Sequence, residues 1–179
     1  MKMLKKLLAV VLTGAMALTL LTACGGNAVT EKDIVDAMND MVKAAGDDVT
    51  TFTPRAEERE MAKAIAALSD KDWKDTERFG QGENAIDLPK KAVKILGIDG
   101  DDNFVWFGEA RADEIRTSGQ ALQFMTHVYN SPLNGNKGKL NSKAPKDTRH
   151  MGTALYKTVD DDGKPVTKRI IVVTAEPAD

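Results

Sequence analysis

The sequence predicts an α+β fold, with helices packed on a small, mainly antiparallel sheet. Three observations carry that expectation. Apolar residues recur at helical spacing, between capping signals, through the first half of the chain. Phe104-Val105-Trp106-Phe107 then breaks the period with a run of aromatic and β-branched residues. Finally, His150 to Thr158 and Val166 to Thr174 flank Asp160-Asp161-Asp162-Gly163, a strong turn signal, and so predict a closing antiparallel hairpin.

Each element has its own local reason. Thr30-Glu31-Lys32-Asp33 has the form of a capping box, and Ile34, Val35, Met38, Met41 and Val42 follow at helical spacing up to Gly46, which predicts a helix over 31–45. Thr53-Pro54 predicts a second helix start, with Pro where its missing N–H costs nothing and Met61, Ile65 and Leu68 as the apolar stripe. Ser69-Asp70-Lys71-Asp72 caps a short third helix carrying Trp73, and Gly80-Gln81-Gly82 interrupts the pattern. Asp87-Leu88-Pro89 predicts the opening of another helix, with Ala92, Val93, Ile95 and Leu96 facing inward and Gly97 ending it. Thr117-Ser118-Gly119-Gln120 again fits a capping box, ahead of a helix lined by Ala121, Leu122, Met125 and Val128. Ser131 to Arg149 reads as a long polar loop, and Ile170-Ile171-Val172-Val173 predicts a strand buried on both faces.

The N-terminus carries the most specific signal. Lys2, Lys5 and Lys6 precede an apolar stretch from Leu7 to Leu21, too short to span a bilayer comfortably and suited to a secretory signal. It ends in Leu21-Thr22-Ala23-Cys24, which resembles the bacterial lipobox. That resemblance implies cleavage before Cys24, acylation of its thiol, and a chain anchored at the outer face of a bacterial cytoplasmic membrane. The expected organisation is therefore a lipoprotein signal peptide at 1–23, a lipidated tether at 24–30 and a single domain at 31–179.

Charge and cysteine content narrow the function classes. Three of the 25 basic residues and none of the 27 acidic ones lie in Met1 to Ala23, so the remainder sets 22 against 27 and is net acidic. This argues against nucleic acid as a partner. With one cysteine in 179 residues, an internal disulfide framework is excluded, and no second long apolar run suggests a polytopic membrane protein.

Several residues of the second half resemble the CAP superfamily of cysteine-rich secretory and pathogenesis-related proteins, in its SCP-like bacterial form. They are Phe107-Gly108-Glu109, then Gln120-Ala121-Leu122, Ser131-Pro132, Met151-Gly152-Thr153-Ala154-Leu155-Tyr156 and Ile171-Val172-Val173-Thr174. The resemblance implies an α-β-α sandwich around a groove in which only Glu109 carries over by position; Trp106, His127 and His150 are further groove candidates by residue type, core packing being the other reading of Trp106. Gly82-Glu83-Asn84-Ala85 offers a rival register that would give the motif glutamate to Glu83 instead. The chain departs from the family at Asn134 and Val128, where a histidine and a tryptophan are usual, and has no histidine before His127. The family's metal site is thus incomplete, and a degenerate member is implied.

Other constellations are sparse. His127 and His150 are 23 residues apart; zinc ligation with a carboxylate is one reading and ordinary structural histidines the other. Asp99-Gly100-Asp101-Asp102-Asn103 alternates acids like a calcium loop, but Phe104 and Ala110 stand where Gly and Glu are needed. No Ser lies in a Gly-x-Ser-x-Gly context. Lys137, Lys139, Lys143, Lys146 and Arg149 form a basic patch, read either as a solvated loop or as a contact for anionic wall polymer or lipid headgroups. The expected function is non-catalytic binding of an envelope ligand by an anchored lipoprotein. The alternatives are a metal-assisted hydrolase acting on wall material, and an interaction partner of a membrane complex.

Overall fold

The computed structural model describes residues 29–79, 85–98, 102–113, 115–129, 133, 140, 143–160 and 162–178. The expected leader, Cys24, Glu83, Asn134, Lys137, Lys139 and residues 99–101 of the acidic run from Asp99 to Asn103 lie outside the described residues. Within them the elements run α1 (Glu31–Ala44), β1 (Thr51–Pro54), α2 (Ala56–Ala66), α3 (Asp70–Lys74), β2 (Thr76–Phe79), β3 (Ile86–Pro89), α4 (Lys90–Ile95), β4 (Phe104–Arg111), α5 (Thr117–Tyr129), β5 (Thr148–Val159) and β6 (Pro165–Ala175). The α+β expectation holds.

The main sheet has four strands in the order β1-β5-β6-β4. β5, β6 and β4 are antiparallel neighbours, whereas β1 joins the edge parallel to β5, with Thr53 opposite His150. Side chains alternate across a strand, and here both faces are covered. One face buries Phe104, Trp106, Met151, Ile171 and Val173 beneath α1 and α5. The other buries Val105, Phe107, Ile170 and Val172 beneath α2 and α4. Covering both faces is why Ile170 to Val173 form an unbroken apolar run, each fully buried.

The capping boxes at the starts of α1 and α3 form as expected. Thr30 Oγ1 accepts from Asp33 N at 3.2 Å while Asp33 Oδ2 accepts from Thr30 N at 2.7 Å, and Ser69 and Asp72 repeat the exchange. Gly46, Gly97 and Gly163 all take positive φ, ending α1, ending α4 and turning the β5–β6 hairpin.

Five local expectations are corrected. Thr53-Pro54 does not open a helix: it ends β1, where Phe52 is buried and Pro at a sheet edge sacrifices no ladder bond, and α2 starts at Ala56. Asp87-Leu88-Pro89 does lead into a helix, α4, with Pro89 at its N-cap and Ala92, Val93 and Leu96 buried, but the three residues themselves lie in β3, paired with β2 in a two-stranded sheet that the helical reading missed. Gln120 does not close a capping box, because α5 begins at Thr117 itself; its amide turns inward, donating to Ile115 O at 2.7 Å and accepting from Arg169 Nε at 2.9 Å. Leu122 is 58% exposed and Phe124 is buried in its place, since α5 inserts the stripe Ala121, Phe124 and Met125 between α1 and the sheet. Leu133 and Leu140 are buried, so at those points the region read as a surface loop enters the core.

Candidate functional site

Alternation along the strands decides which expected site residues can meet. Glu109 is an odd-numbered residue of β4 and Trp106 an even one, which puts them on opposite faces of the sheet. Trp106 packs in the α1/α5 core, with the Arg149 guanidinium over its ring at 4.6 Å, a cation–π contact. His150 shares the face of Glu109. However, Glu109 pairs with Ile170 and through it aligns with Ala154, four positions from His150 along β5, or about 13 Å. α5, which carries His127, lies on the Trp106 face. Of the groove expected from Glu109, Trp106, His127 and His150, alternation separates Trp106 from Glu109 and register separates His150; the His127 side chain lies outside the described residues.

Around Glu109 the structure builds a different cluster. Tyr156 and Lys168 face each other across the β5–β6 hairpin, and both reach Glu109 on the neighbouring strand. The Tyr156 hydroxyl donates to Glu109 Oε1 at 2.6 Å, and Lys168 Nζ donates to Oε2 at 3.2 Å. Burial, reinforced by the Glu109 charge, pushes the Tyr156 phenol far above its ordinary range, so it stays a protonated donor. Trp73 of α3 stacks on Tyr156, with centroids 5.6 Å apart and planes 11° from parallel. Its indole Nε1 is closed to solvent yet has no hydrogen-bond partner, and Asp70 Oδ1, one turn earlier on α3, is in the same condition. An orphaned buried donor or acceptor costs about 1–3 kcal/mol, so each invites a reason.

Two further polar groups are structural in character. Glu58 is fully buried against β6, bonded by the Arg55 guanidinium and by the Thr174 hydroxyl. Its burial raises its carboxyl, and the bonds from Arg55 and Thr174 more than reverse this, holding it below its usual value. Nearby, Thr53 Oγ1 lies 3.2 Å from His150 Nδ1. On the other face Arg169, 5% exposed, spends its guanidinium on Gln120 Oε1, Thr153 Oγ1 and the Val29 carbonyl. Burial lowers its affinity for its proton, opposed by the charges of Glu31 and Asp33.

Of the expected basic contact loop, Lys143 is exposed, Lys146 pairs with Glu176 at 2.6 Å and Arg149 covers Trp106. Among the described residues no three His, Cys, Asp or Glu side chains converge as a metal site. Sequence reasoning missed Trp73, Tyr156 and Lys168 as site residues. The Tyr156–Lys168 pairing depends on a five-residue connection closed by Asp160 N donating to Lys164 O; counting outward from Asp160–Gly163 alone sets Tyr156 opposite Thr167, one residue out of register. Compared with protein-family models, with curated proteins and with solved structures, the chain matches none.

Proposed function

We propose that this protein is a lipid-anchored binding protein: Cys24 holds it to the outer face of a bacterial cytoplasmic membrane, and its domain, of degenerate CAP type, takes an envelope ligand without turning it over. The anchor is supported by the single cysteine standing at the lipobox position. The fold supports a short leash: Val29 O is already tied to buried Arg169 at 2.7 Å, leaving five residues after Cys24 to span at most about 18 Å. Several acyl chains would make such an anchor persistent, since each buried methylene contributes about 0.8 kcal/mol.

The observation that carries the binding assignment is the engagement of Glu109. Both carboxylate oxygens accept hydrogen bonds, from Tyr156 and from Lys168, and the ion pair is largely enclosed. A hydrolase would need that carboxylate free to ligate a metal or to take a proton from water. Here it braces an aromatic pair instead, and the unspent hydrogen-bonding capacity belongs to Trp73 beside it.

Two measurements test this reading. The full chain is expressed in a bacterial host supplied with an alkyne-bearing palmitate. Label should accompany the membrane fraction and vanish in Cys24→Ala; an unlabelled, soluble wild-type chain would refute the anchor. Purified protein is then incubated with isolated wall material, with and without zinc. Cosedimentation without release of soluble fragments is expected, and fragment release abolished by Glu109→Gln would replace binding with hydrolysis.

A further inference from the structure

Resting on the binding reading above, we infer that Trp73, Asp70 and Tyr156 form a recognition platform for an uncharged saccharide. The assignment follows from what the cluster has left to offer. Trp73 and Tyr156 are both half-buried, so part of the stacked pair remains accessible, and an aromatic face accepts the C–H side of a pyranose ring. Trp73 Nε1 can only donate, and it is unpaired; Asp70 Oδ1 can only accept while ionised, and it too is unpaired. Three residues apart on one helix, they lie on the same side of α3. A ligand satisfying both must present an acceptor and a donor a few ångströms apart beside an apolar surface. Vicinal hydroxyl groups on a sugar ring do so.

Ionic ligands fit the cluster less well. An anionic ligand would be set against the Asp70 carboxylate; Lys168, Lys91 and Lys90 are already paired with Glu109 at 3.2 Å, Asp72 at 2.9 Å and Asp75 at 2.7 Å, and Lys71 and Lys74 of α3 are exposed to solvent. A cationic ligand would be drawn to Asp70 and the aromatic faces but would leave the indole N–H without an acceptor. An alkyl chain would leave both orphaned atoms unsatisfied, at the cost that makes them unusual now. Because both atoms are closed to solvent, α3 must give by about an atomic width to admit the ligand. Its five residues are held to the rest of the fold by side-chain contacts and the Asp72–Lys91 pair, not by a long buried face.

Trp106→Phe leaves Trp73 as the sole indole, so its emission reports the site directly. The full chain, purified in a sugar-free detergent, is titrated with a tetrasaccharide of N-acetylglucosamine, with cellotetraose, with sodium phosphate and with phosphatidylglycerol vesicles. A saturable emission shift with at least one saccharide, and none with phosphate or vesicles, is the expected result. By calorimetry, Trp73→Phe and Asp70→Ala should each weaken that saccharide at least tenfold while the melting temperature stays near that of the parent. Phosphate or vesicles shifting Trp73 in place of saccharides would overturn the ligand class and leave the binding function standing. Silence with all four probes would overturn the platform. Failure of the protein to sediment with wall material, a separate measurement, is what would remove the binding reading beneath it.

Discussion

Gly152 makes the sharpest demand on the fold. It lies in β5 where the backbone of α2 crosses the sheet, and a methyl group built on it would sit 1.9 Å from Arg59 N, 2.3 Å from Glu58 C and 2.4 Å from Arg59 Cα. All three are backbone atoms, so no change of rotamer relieves the clash. Reaching ordinary contact at 3.4 Å requires α2 to lift by roughly 1.5 Å. That displacement would loosen Ala62 and Ile65, both fully buried, and stretch the bond that the Thr174 hydroxyl on β6 donates to Glu58. Overpacking a core generally costs about 1–3 kcal/mol, and with no soft neighbour the upper end applies, so Gly152→Ala should destabilise by about 3 kcal/mol. For a domain of this size that is a fall in Tm on the order of 10 °C. Gly46→Ala is the control: its site has open space, and only the positive φ of 84° is strained, worth roughly 1–2 kcal/mol. Thermal unfolding followed by circular dichroism measures both. If Gly152→Ala melts no lower than Gly46→Ala, the close approach of α2 to β5 is wrong.

The remaining predictions concern pairs and edges. Glu58→Gln should cost about 2–4 kcal/mol at neutral pH, because it removes the buried partner of Arg55, itself about a third exposed. A carboxyl held below its ordinary 4.5 adds stability above that pH and loses it as pH falls through the folded value. Urea midpoints measured from pH 7 to pH 3 should therefore decline less steeply in Glu58→Gln than in the parent, and parallel curves would refute the assignment. Asn39 of α1 grips β1 by its edge, accepting from Phe52 N at 2.7 Å and donating to Phe52 O at 3.0 Å. Asn39→Ala should cost about 1–3 kcal/mol and bare a strand edge, read as a lower urea midpoint and as concentration-dependent association in light scattering. Thr30→Ala should cost about 1 kcal/mol by opening the capping box, visible as a Tm only a few degrees lower.

What was legible in the sequence was local. The cap at Thr30, the cap at Ser69, the turn at Asp160 to Gly163 and the doubly buried run at Ile170 each depend on neighbours a few residues apart, and each formed as read. What was illegible depends on partners far away. Thr51–Pro54 is too short to show an alternation of its own and becomes a strand only because β5 offers it a parallel edge, about a hundred residues later. Asp87 to Pro89 resembles a helix start by composition, and it pairs with Thr76 to Phe79 by a register that no single-segment pattern records. Gln120 has the residue type of a capping box; the buried Arg169 competes for its amide and wins, because an unpartnered guanidinium in the core would cost more than an uncapped turn.

The candidate site shows the same division, with one difference. Once Phe104 to Phe107 is read as a strand, strict alternation already forbids Trp106 and Glu109 from sharing a groove, so that grouping contradicted the strand on which it stood. The hairpin turn brings Tyr156 to within one residue of Lys168, and the exact pairing is set by Lys164 joining the connection. The missing step was the register of β4 against β6, which no turn connects and which sets Glu109 beside Ile170, one diagonal from Lys168. Trp73 could not have been placed by any such count, because α3 meets β5 through side-chain packing, its indole stacked on Tyr156. A site spread over a helix and three strands is therefore half readable: the strands obey a period that the sequence carries, and the helix is placed by packing. The orphaned indole N–H sits at that junction between readable and unreadable parts, where a ligand, not a neighbouring residue, can complete the hydrogen bonding.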